Sequence, residues 1–463
     1  MWAAIDVLHK LVDQLSDDTQ SSTKDLLSCG PDVAHGLRLA LQSLSDLDNR
    51  QEAQLDKLID VAYAHMSASL GSSCWRRLYT DVCLLRSLAD VACAVSLNDA
   101  VALESIGRLD RAIVIAGAPG EGRLDLILDS ITNIQRAYLP TRQVDFAILP
   151  NVIPSSLPRW FDSSSHSIPC IEPPSFASFQ NSTSLHPFII RGYVRDWPAM
   201  REHPWASTDY LRFVAGPGRI VPIEIGSDYR NDDWTQTLMD WDDFLTALDS
   251  QGLEHRNKHD VLYLAQHNLL KQFPALRADV IVPDYIYASL SPRMDFPGYE
   301  PPANDEQLVI NAWLGPGGTV SPAHTDPYFN FYGTWTSLIR YDITTHDVAA
   351  QVVGRKTVWL APPSVTPFMY PYPPTSLSTA DQLLAHNPAA NTSNPSMSNT
   401  SQVDVFASAT AEQRRRIHPL FWEKVIPNSF SAALEPGDLL FFPPGWWHAM
   451  RSEEKSFSVS MWF

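Results

Sequence analysis

The period of the hydrophobic pattern changes once along this chain, and that change limits what it can fold into. In the first 140 or so residues, apolar side chains recur at helical spacing, as in Trp2, Ile5, Leu8, Leu11, Val12 and Leu15. Comparable stripes cover 33–47, 55–66, 75–95, 100–116 and 124–139, with Ser-, Asp- and Gly-rich joints at 16–22 and 118–122. Beyond residue 185 the apolar runs are short, and they alternate or are β-branched: 188–194, 220–225, 261–264, 309–313, 357–360, 438–442 and 457–462. One helical stretch, near 241–249, interrupts them. The pattern predicts an α+β multidomain chain: an all-α region over 1–142, then an antiparallel sandwich or barrel over 185–463. Residues 143–184, rich in proline and serine, read as an irregular connector with Trp160 and Phe161 docking on one domain. Residues 373–401 are dominated by Ser, Thr, Asn, Ala and Pro and read as a surface loop with little to bury. No repeat of fixed period accompanies the helical stripes, which read as the core of stacked hairpins.

Charge narrows the partners. A formal net charge of −18 over 463 residues disfavours direct nucleic-acid binding, which relies on basic surface. It suits a basic protein or peptide, an arginine- or lysine-containing substrate. The five cysteines, Cys29, Cys74, Cys83, Cys93 and Cys170, form no metal-ligand spacing and read as reduced thiols. Acid at Asp6 comes too early for a signal peptide, and no apolar run reaches membrane-spanning length. The expectation is a soluble nuclear or cytoplasmic protein without a membrane partner.

The chemistry concentrates in Ser321-Pro322-Ala323-His324-Thr325-Asp326 and in Pro443-Pro444-Gly445-Trp446-Trp447-His448. His324 and Asp326 stand two apart, so on an extended strand they leave by the same face. His448 follows a strand-like run and a Pro-Pro-Gly turn, and it supplies a third donor. Two imidazoles and one carboxylate make the facial set of non-haem Fe(II) oxygenases, which leaves positions open for cosubstrate and dioxygen. The alternative is a His and an Asp at a polar strand end. Gly315-Pro316-Gly317-Gly318 reads as a turn, not a phosphate loop, since no helix pattern follows it.

Several motifs in order resemble the JmjC-domain 2-oxoglutarate oxygenases, whose catalytic domain is a double-stranded β-helix, a cupin-like jelly roll. They are Asn311-Ala312-Trp313-Leu314-Gly315, the His324 run through Asn330, Gln351-Val352-Val353-Gly354-Arg355-Lys356, Asn399-Thr400-Ser401-Gln402-Val403-Asp404, the His448 run and the closing 456–463. Runs at 221–227, 234–239 and 263–267 narrow the resemblance to the arginyl-hydroxylase branch, also described as histone lysine demethylases. The resemblance implies Fe(II) held by His324, Asp326 and His448, with 2-oxoglutarate as cosubstrate and dioxygen as oxidant. It implies Lys356, with Asn330, Tyr263 and Ser321, around 2-oxoglutarate, because a dicarboxylate wants a fixed cation and hydroxyl or amide donors. It places Glu224 and Trp234, flanked by Gln266 and Trp313, around a substrate guanidinium.

The implied function is hydroxylation of a protein side chain, arginine first. N-methyl-lysine demethylation is an alternative within the class, and an inactive JmjC scaffold one outside it. Glu224 weighs toward guanidinium, because a methylated ammonium is best held by aromatic faces without a full ionic partner. The chain departs from the family pattern at residues 333–349, whose removal would join Asn330-Phe331-Tyr332 to Ala350-Gln351. A looped-out insertion and a retained intron both remain open, and sequencing of spliced transcripts across this region separates them.

Overall fold

The computed structural model describes residues 4–17, 19–45, 51–68, 73–93, 99–142, 164–226, 228–231, 233–250, 261–334, 354–373, 397–407 and 410–463. The helical stripes form α1 (Ala4–Ser16), α2 (Ser21–Leu27), α3 (Pro31–Ser45), α4 (Gln51–Ala68), α5 (Ser73–Cys93), α6 (Asp99–Val114) and α7 (Arg123–Tyr138). Leu8, Leu44, Leu55, Val82, Leu85, Ile106 and Ile134 share one dry core, with α5 buried from Leu78 to Ala89 at its centre. Burying α5 on all sides puts Asp81 at 0% exposure, so its charge is met by Arg77 at 2.6 Å and Arg123 at 2.5 Å.

The strands are β1 (His166–Ser167), β2 (Phe188–Ile190), β3 (Ile220–Ile225), β4 (Thr235–Asp240), β5 (Leu262–His267), β6 (Val309–Gly315) and β7 (Val320–Thr325). They continue with β8 (Asn330–Thr334), β9 (Lys356–Ala361), β10 (Phe430–Leu434), β11 (Leu439–Phe442), β12 (Trp447–Ser452) and β13 (Ser456–Trp462). One sheet runs β1-β10-β9-β12-β7 and the other β2-β11-β8-β13-β6-β5-β3-β4. Every pairing is antiparallel except β1 with β10. This is the antiparallel sandwich expected from the strand pattern, in the jelly-roll form that the resemblance implies.

Alternation along each strand decides which side chains reach the interior. On β11, Leu440 and Phe442 join the core between the sheets, whereas Leu439 and Phe441 pack outward, Phe441 against Phe179. On β9, Val358 and Leu360 face in, and Trp359 and Ala361 face out. Lys356 falls in register with Val358 and so points between the sheets, at 1% exposure.

Three expectations need adjustment. The connector's described part is already ordered: β1 pairs with β10, Ile168 enters the inter-sheet core and Phe179 enters the outer one. Its proline-rich composition hid this, since two paired residues are too few to show a period. Trp160 and Phe161 lie outside the described residues. Residues 397–401, expected in a loop, are bonded to β7 through Thr325 N–H to Asn399 O (3.1 Å) and Ser401 N–H to Ala323 O (2.7 Å); 374–396 lie outside the described residues. Without 333–349 the family pattern would bring Asn330 and Lys356 within a few residues of each other, yet β8 and β9 belong to different sheets. Residues 335–353 between them lie outside the described residues. The two ends still converge, since Lys356 Nζ donates to Tyr332 OH at 2.7 Å.

No helix among the described residues is long and apolar enough to cross a membrane. Among the described residues, Cys29, Cys74, Cys83 and Cys170 are not joined in disulfides.

Candidate active site

β7 and β12 lie side by side with His324 and His448 as register partners, their ring centroids 4.1 Å apart. Asp326 follows β7 by one residue, and its carbonyl accepts from Gly445 N–H at 2.9 Å, which ties the strand end to the Pro-Pro-Gly turn. Gly445 has a φ of +75°, and a β-carbon there would meet Phe296 at 2.5 Å, so the turn requires glycine. The nitrogen and carboxylate donors of His324, Asp326 and His448 all lie within 4.8 Å of one another.

Both imidazoles are oriented as ligands. His324 Nδ1 lies 2.7 Å from Pro322 O and His448 Nδ1 lies 3.1 Å from Trp446 O. A carbonyl only accepts, so each Nδ1 carries the proton and each Nε2 lone pair stays available. Burial first, then the neighbouring His448, pulls the His324 pKa down to about 4, so the ring is neutral. Burial would raise the Asp326 pKa. Contact with His448 Nε2, 3.4 Å away, and the neighbouring His324 outweigh that effect and hold the carboxyl below its ordinary value. An oriented imidazole pair beside such a carboxylate fits a divalent cation, and iron suits this donor set.

Ser321 is the residue that periodicity alone would misplace. It stands three before His324 and should face the opposite way. The register shifts between His448 and Met450, so that β7 spends three residues, Ser321 to His324, against two on β12. This bulge spans Pro322, which has no N–H to give to a ladder, and it lets Ser321 and His324 line the same cavity.

Lys356 stands behind that cavity. Its ammonium contacts Tyr332 OH at 2.7 Å and Tyr263 OH at 3.4 Å, both neutral phenols. Burial pulls its pKa down to about 7. Asn330 Oδ1 is buried without a hydrogen-bond partner among the described residues. A buried cation with only neutral partners, beside an unfilled acceptor, fits an anionic guest that also brings a donor or a water.

On the far side of the triad opens a cavity of about 280 Å³ lined by Glu224, Trp234, Tyr263, Gln266, Trp313, Ser321, His324 and Asp326. Trp234 Nε1 donates to Glu224 Oε2 at 3.2 Å, and burial raises the Glu224 pKa against the Trp234 and Gln236 bonds. Trp313 Nε1 is tied to Ser460 Oγ at 3.0 Å, and its ring lines both spaces. Gln266 reaches the cavity from a second bulge, on β5, with a φ of +49°.

All eleven sequence-expected residues therefore meet around one centre: ten line the two connected cavities and Lys356 backs them. Tyr332, Ser460 and Trp462 were missed, although each follows or precedes an inward residue at strand period. Tyr229, Met397, Asn399 and Thr400 were also missed. Tyr229 sits in a loop with no periodic signal, and the Asn399 motif was noticed without a role.

The model of the cupin-like domain matches residues 178–463. The chain is 32% identical to lysine-specific demethylase 8 of Danio rerio, over 84% of this chain and 81% of that protein. It is 34% identical to Jumonji C domain-containing protein 5 of Drosophila melanogaster, over 67% of this chain and 63% of that protein. With lysine-specific demethylase JMJ30 of Arabidopsis thaliana it shares 31% over 60% of this chain and 49% of that protein. The oriented His-Asp-His set inside a jelly roll and the matched domain agree, and the chain belongs to the JmjC family of cupin-like, 2-oxoglutarate-dependent oxygenases.

Proposed function

We propose that this oxygenase uses Fe(II) and 2-oxoglutarate to oxidise a cationic side chain of a protein, with the iron held by His324, Asp326 and His448. Bound iron, with 2-oxoglutarate and dioxygen, supplies an oxidant able to take hydrogen from an unactivated C–H bond. The observation that carries the reading is Lys356, a cation 1% exposed and bonded to two phenols, in line behind the triad. A cupin that bound metal only structurally would have no use for it. Lys356 takes the far carboxylate of 2-oxoglutarate, with Tyr263, Asn330 and Ser321 around it.

The wall opposite is made for a cation. Glu224 has only neutral donors beside it, and Trp234, Tyr229, Tyr263 and Trp313 supply aromatic faces. A guest ammonium or guanidinium offsets the cost of burying the Glu224 carboxylate and gains both contacts. The names of the relatives favour N-methyl-lysine demethylation over the arginine hydroxylation expected first, and a histone or other protein substrate goes with those names. A histone substrate would place the enzyme in the nucleus. Arginine hydroxylation stays as a second reading because Glu224 matches a guanidinium better than a quaternary ammonium.

Incubation of the full chain with iron, 2-oxoglutarate and either methyl-lysine or arginine peptides, followed by mass spectrometry, decides between them. Loss of a methyl group supports demethylation; gain of one oxygen on arginine supports hydroxylation; succinate formation stimulated by neither peptide rejects a cationic substrate. Glu224→Gln sharpens the assay. For an arginine substrate it raises the half-saturating peptide concentration by roughly tenfold or more, about 1.4 kcal/mol per decade. For a trimethyl-lysine substrate the rise is smaller, since the aromatic faces remain.

A further inference from the structure

The strand that carries Glu224 is registered along its length only by the edge strand: β3 pairs with β4 from Ile220 opposite Asp240 to Ile225 opposite Thr235. β4 is itself exposed along Thr235–Thr237, and β3 meets the interior neighbour β5 only at its far end, through Glu224 with Tyr263 and Ile225 with Leu262. A slip of one residue would turn Glu224 to the opposite face. At the start of β3, where β5 does not reach, the helical domain adds a second hold.

Asp110 of α6 is 0% exposed and receives Arg219 Nη2 at 2.8 Å and Nε at 2.9 Å. The same carboxylate accepts the Ile220 N–H at 2.9 Å. The Ile220 carbonyl is held in turn by Gln272 Nε2 at 2.7 Å, so both backbone groups of the first β3 residue are bound by side chains. Arg219 also donates to Gln272 O at 2.9 Å and lies over the Phe273 ring at 4.5 Å. With Nε2 spent on Ile220, Gln272 offers only Oε1 to His267 Nε2, 2.8 Å away, so that ring nitrogen carries the proton. Burial keeps the His267 pKa below its ordinary value, consistent with a neutral donor. His267 ends β5 beside Gln266, at the bulge that aims Gln266 into the cavity. A buried chain of hydrogen bonds thus runs from the helical domain to the two strands of the pocket wall.

The contact between the domains is broader than this chain. Gln135 Nε2 donates to Ala215 O at 3.1 Å and Pro217 O at 2.8 Å, Lys271 Nζ to Gly117 O at 2.8 Å, and Arg142 pairs with Asp242. All of these partners flank β3 in sequence or space, and none lies on the strands that carry the triad.

We propose that Asp110 is a positioning residue for the substrate pocket: acting through Arg219, Ile220 and Gln272, it sets the register of β3 and the end of β5, and so the aim of Glu224, Tyr263 and Gln266. The role rests on the reading of this cavity as the site of the substrate side chain. It gives the helical domain a part in recognition and leaves the iron site to the jelly roll.

The test uses two full-length variants. Asp110→Leu combined with Arg219→Met removes both charges and leaves neither one buried alone. Gln272→Met cuts the Ile220 and His267 links and leaves the ion pair intact. Hydrogen exchange followed by mass spectrometry should show faster exchange over 220–226 and 262–267, with wild-type protection in α5, β7 and β12. Cobalt(II) affinity should stay within about twofold of wild type. The half-saturating concentration of whichever peptide is turned over should rise roughly tenfold or more, since a misplacement of about 1 Å can cost that much. Wild-type exchange in both pocket strands, or loosening spread evenly over the whole chain, overturns the proposal. If the double variant does not fold, Gln272→Met decides alone. If the wild type turns over neither peptide, the cationic-substrate reading fails, and local against uniform exchange still decides the register.

Discussion

Asp326→Ala is expected to abolish 2-oxoglutarate turnover and to weaken divalent-metal binding beyond easy detection, with the fold kept. The carboxylate is the one anionic donor of the set, and without it two neutral imidazoles must hold a hydrated dication. His324→Ala and His448→Ala should behave alike. The fold should survive because the packing between the sheets comes from Ile189, Val358, Leu360, Leu440 and Phe442. Asp326 contributes a charge that the histidines hold ionised against burial, and removing it takes away a desolvation penalty along with the contact with His448. Cobalt(II) titration followed by absorption reads the metal, and succinate release reads the chemistry. Turnover retained in the Asp326 variant would sink the ligand assignment.

Lys356→Met should carry the second-largest effect, with two signatures of opposite sign. The half-saturating 2-oxoglutarate concentration should rise about thirtyfold, since a charge-assisted contact in a sheltered site contributes about 2 kcal/mol. Metal affinity should be unchanged. In the absence of 2-oxoglutarate, the variant should also be more stable than wild type, because the native protein buries an ammonium that only phenols meet. The pH dependence follows from the lowered pKa. Below about 7 the lysine is charged in both states, and the native state bears the whole cost. Between about 7 and the ordinary lysine value of 10.5, the native state has lost the proton that the unfolded chain retains. The unfolded state then binds more protons, so wild-type stability from this group rises with pH. The gap in melting temperature between Lys356→Met and wild type should therefore narrow from about pH 6 to about pH 9. A gap that widened, or an unchanged demand for 2-oxoglutarate, would mean that another group takes the carboxylate.

Much of the site was legible before any coordinates because strand period and motif order are local properties. His324 and Asp326 share a face at a spacing of two, His448 follows a strand-like run, and Lys356, Asn330 and Ser321 came with the resemblance. Strand period alone would have turned Ser321 away; it faces the cavity because β7 bulges at Pro322. Other residues were out of reach. Tyr229 and Thr400 come together through a 3.3 Å contact between hydroxyls far apart in sequence. β4 carries no alternation to read, since as an edge strand it has no buried face along Thr235–Thr237.

What the sequence determined by itself was the class of each segment and the kind of donor each motif offers. A helical stripe in 1–142 and alternating runs after 185 can bury their apolar atoms in few ways, and imidazole, carboxylate and ammonium keep their chemistry in any fold. Only the tertiary structure decided which donors meet and in what state. The register of β7 against β12 sets the facing of the two imidazoles, and the carbonyls of Pro322 and Trp446 set their tautomers. The depth of Lys356 sets its pKa, and an aspartate on the sixth helix pins the strand that carries Glu224. These are long-range pairings, and their energies depend on burial and on partners that no local window of sequence contains.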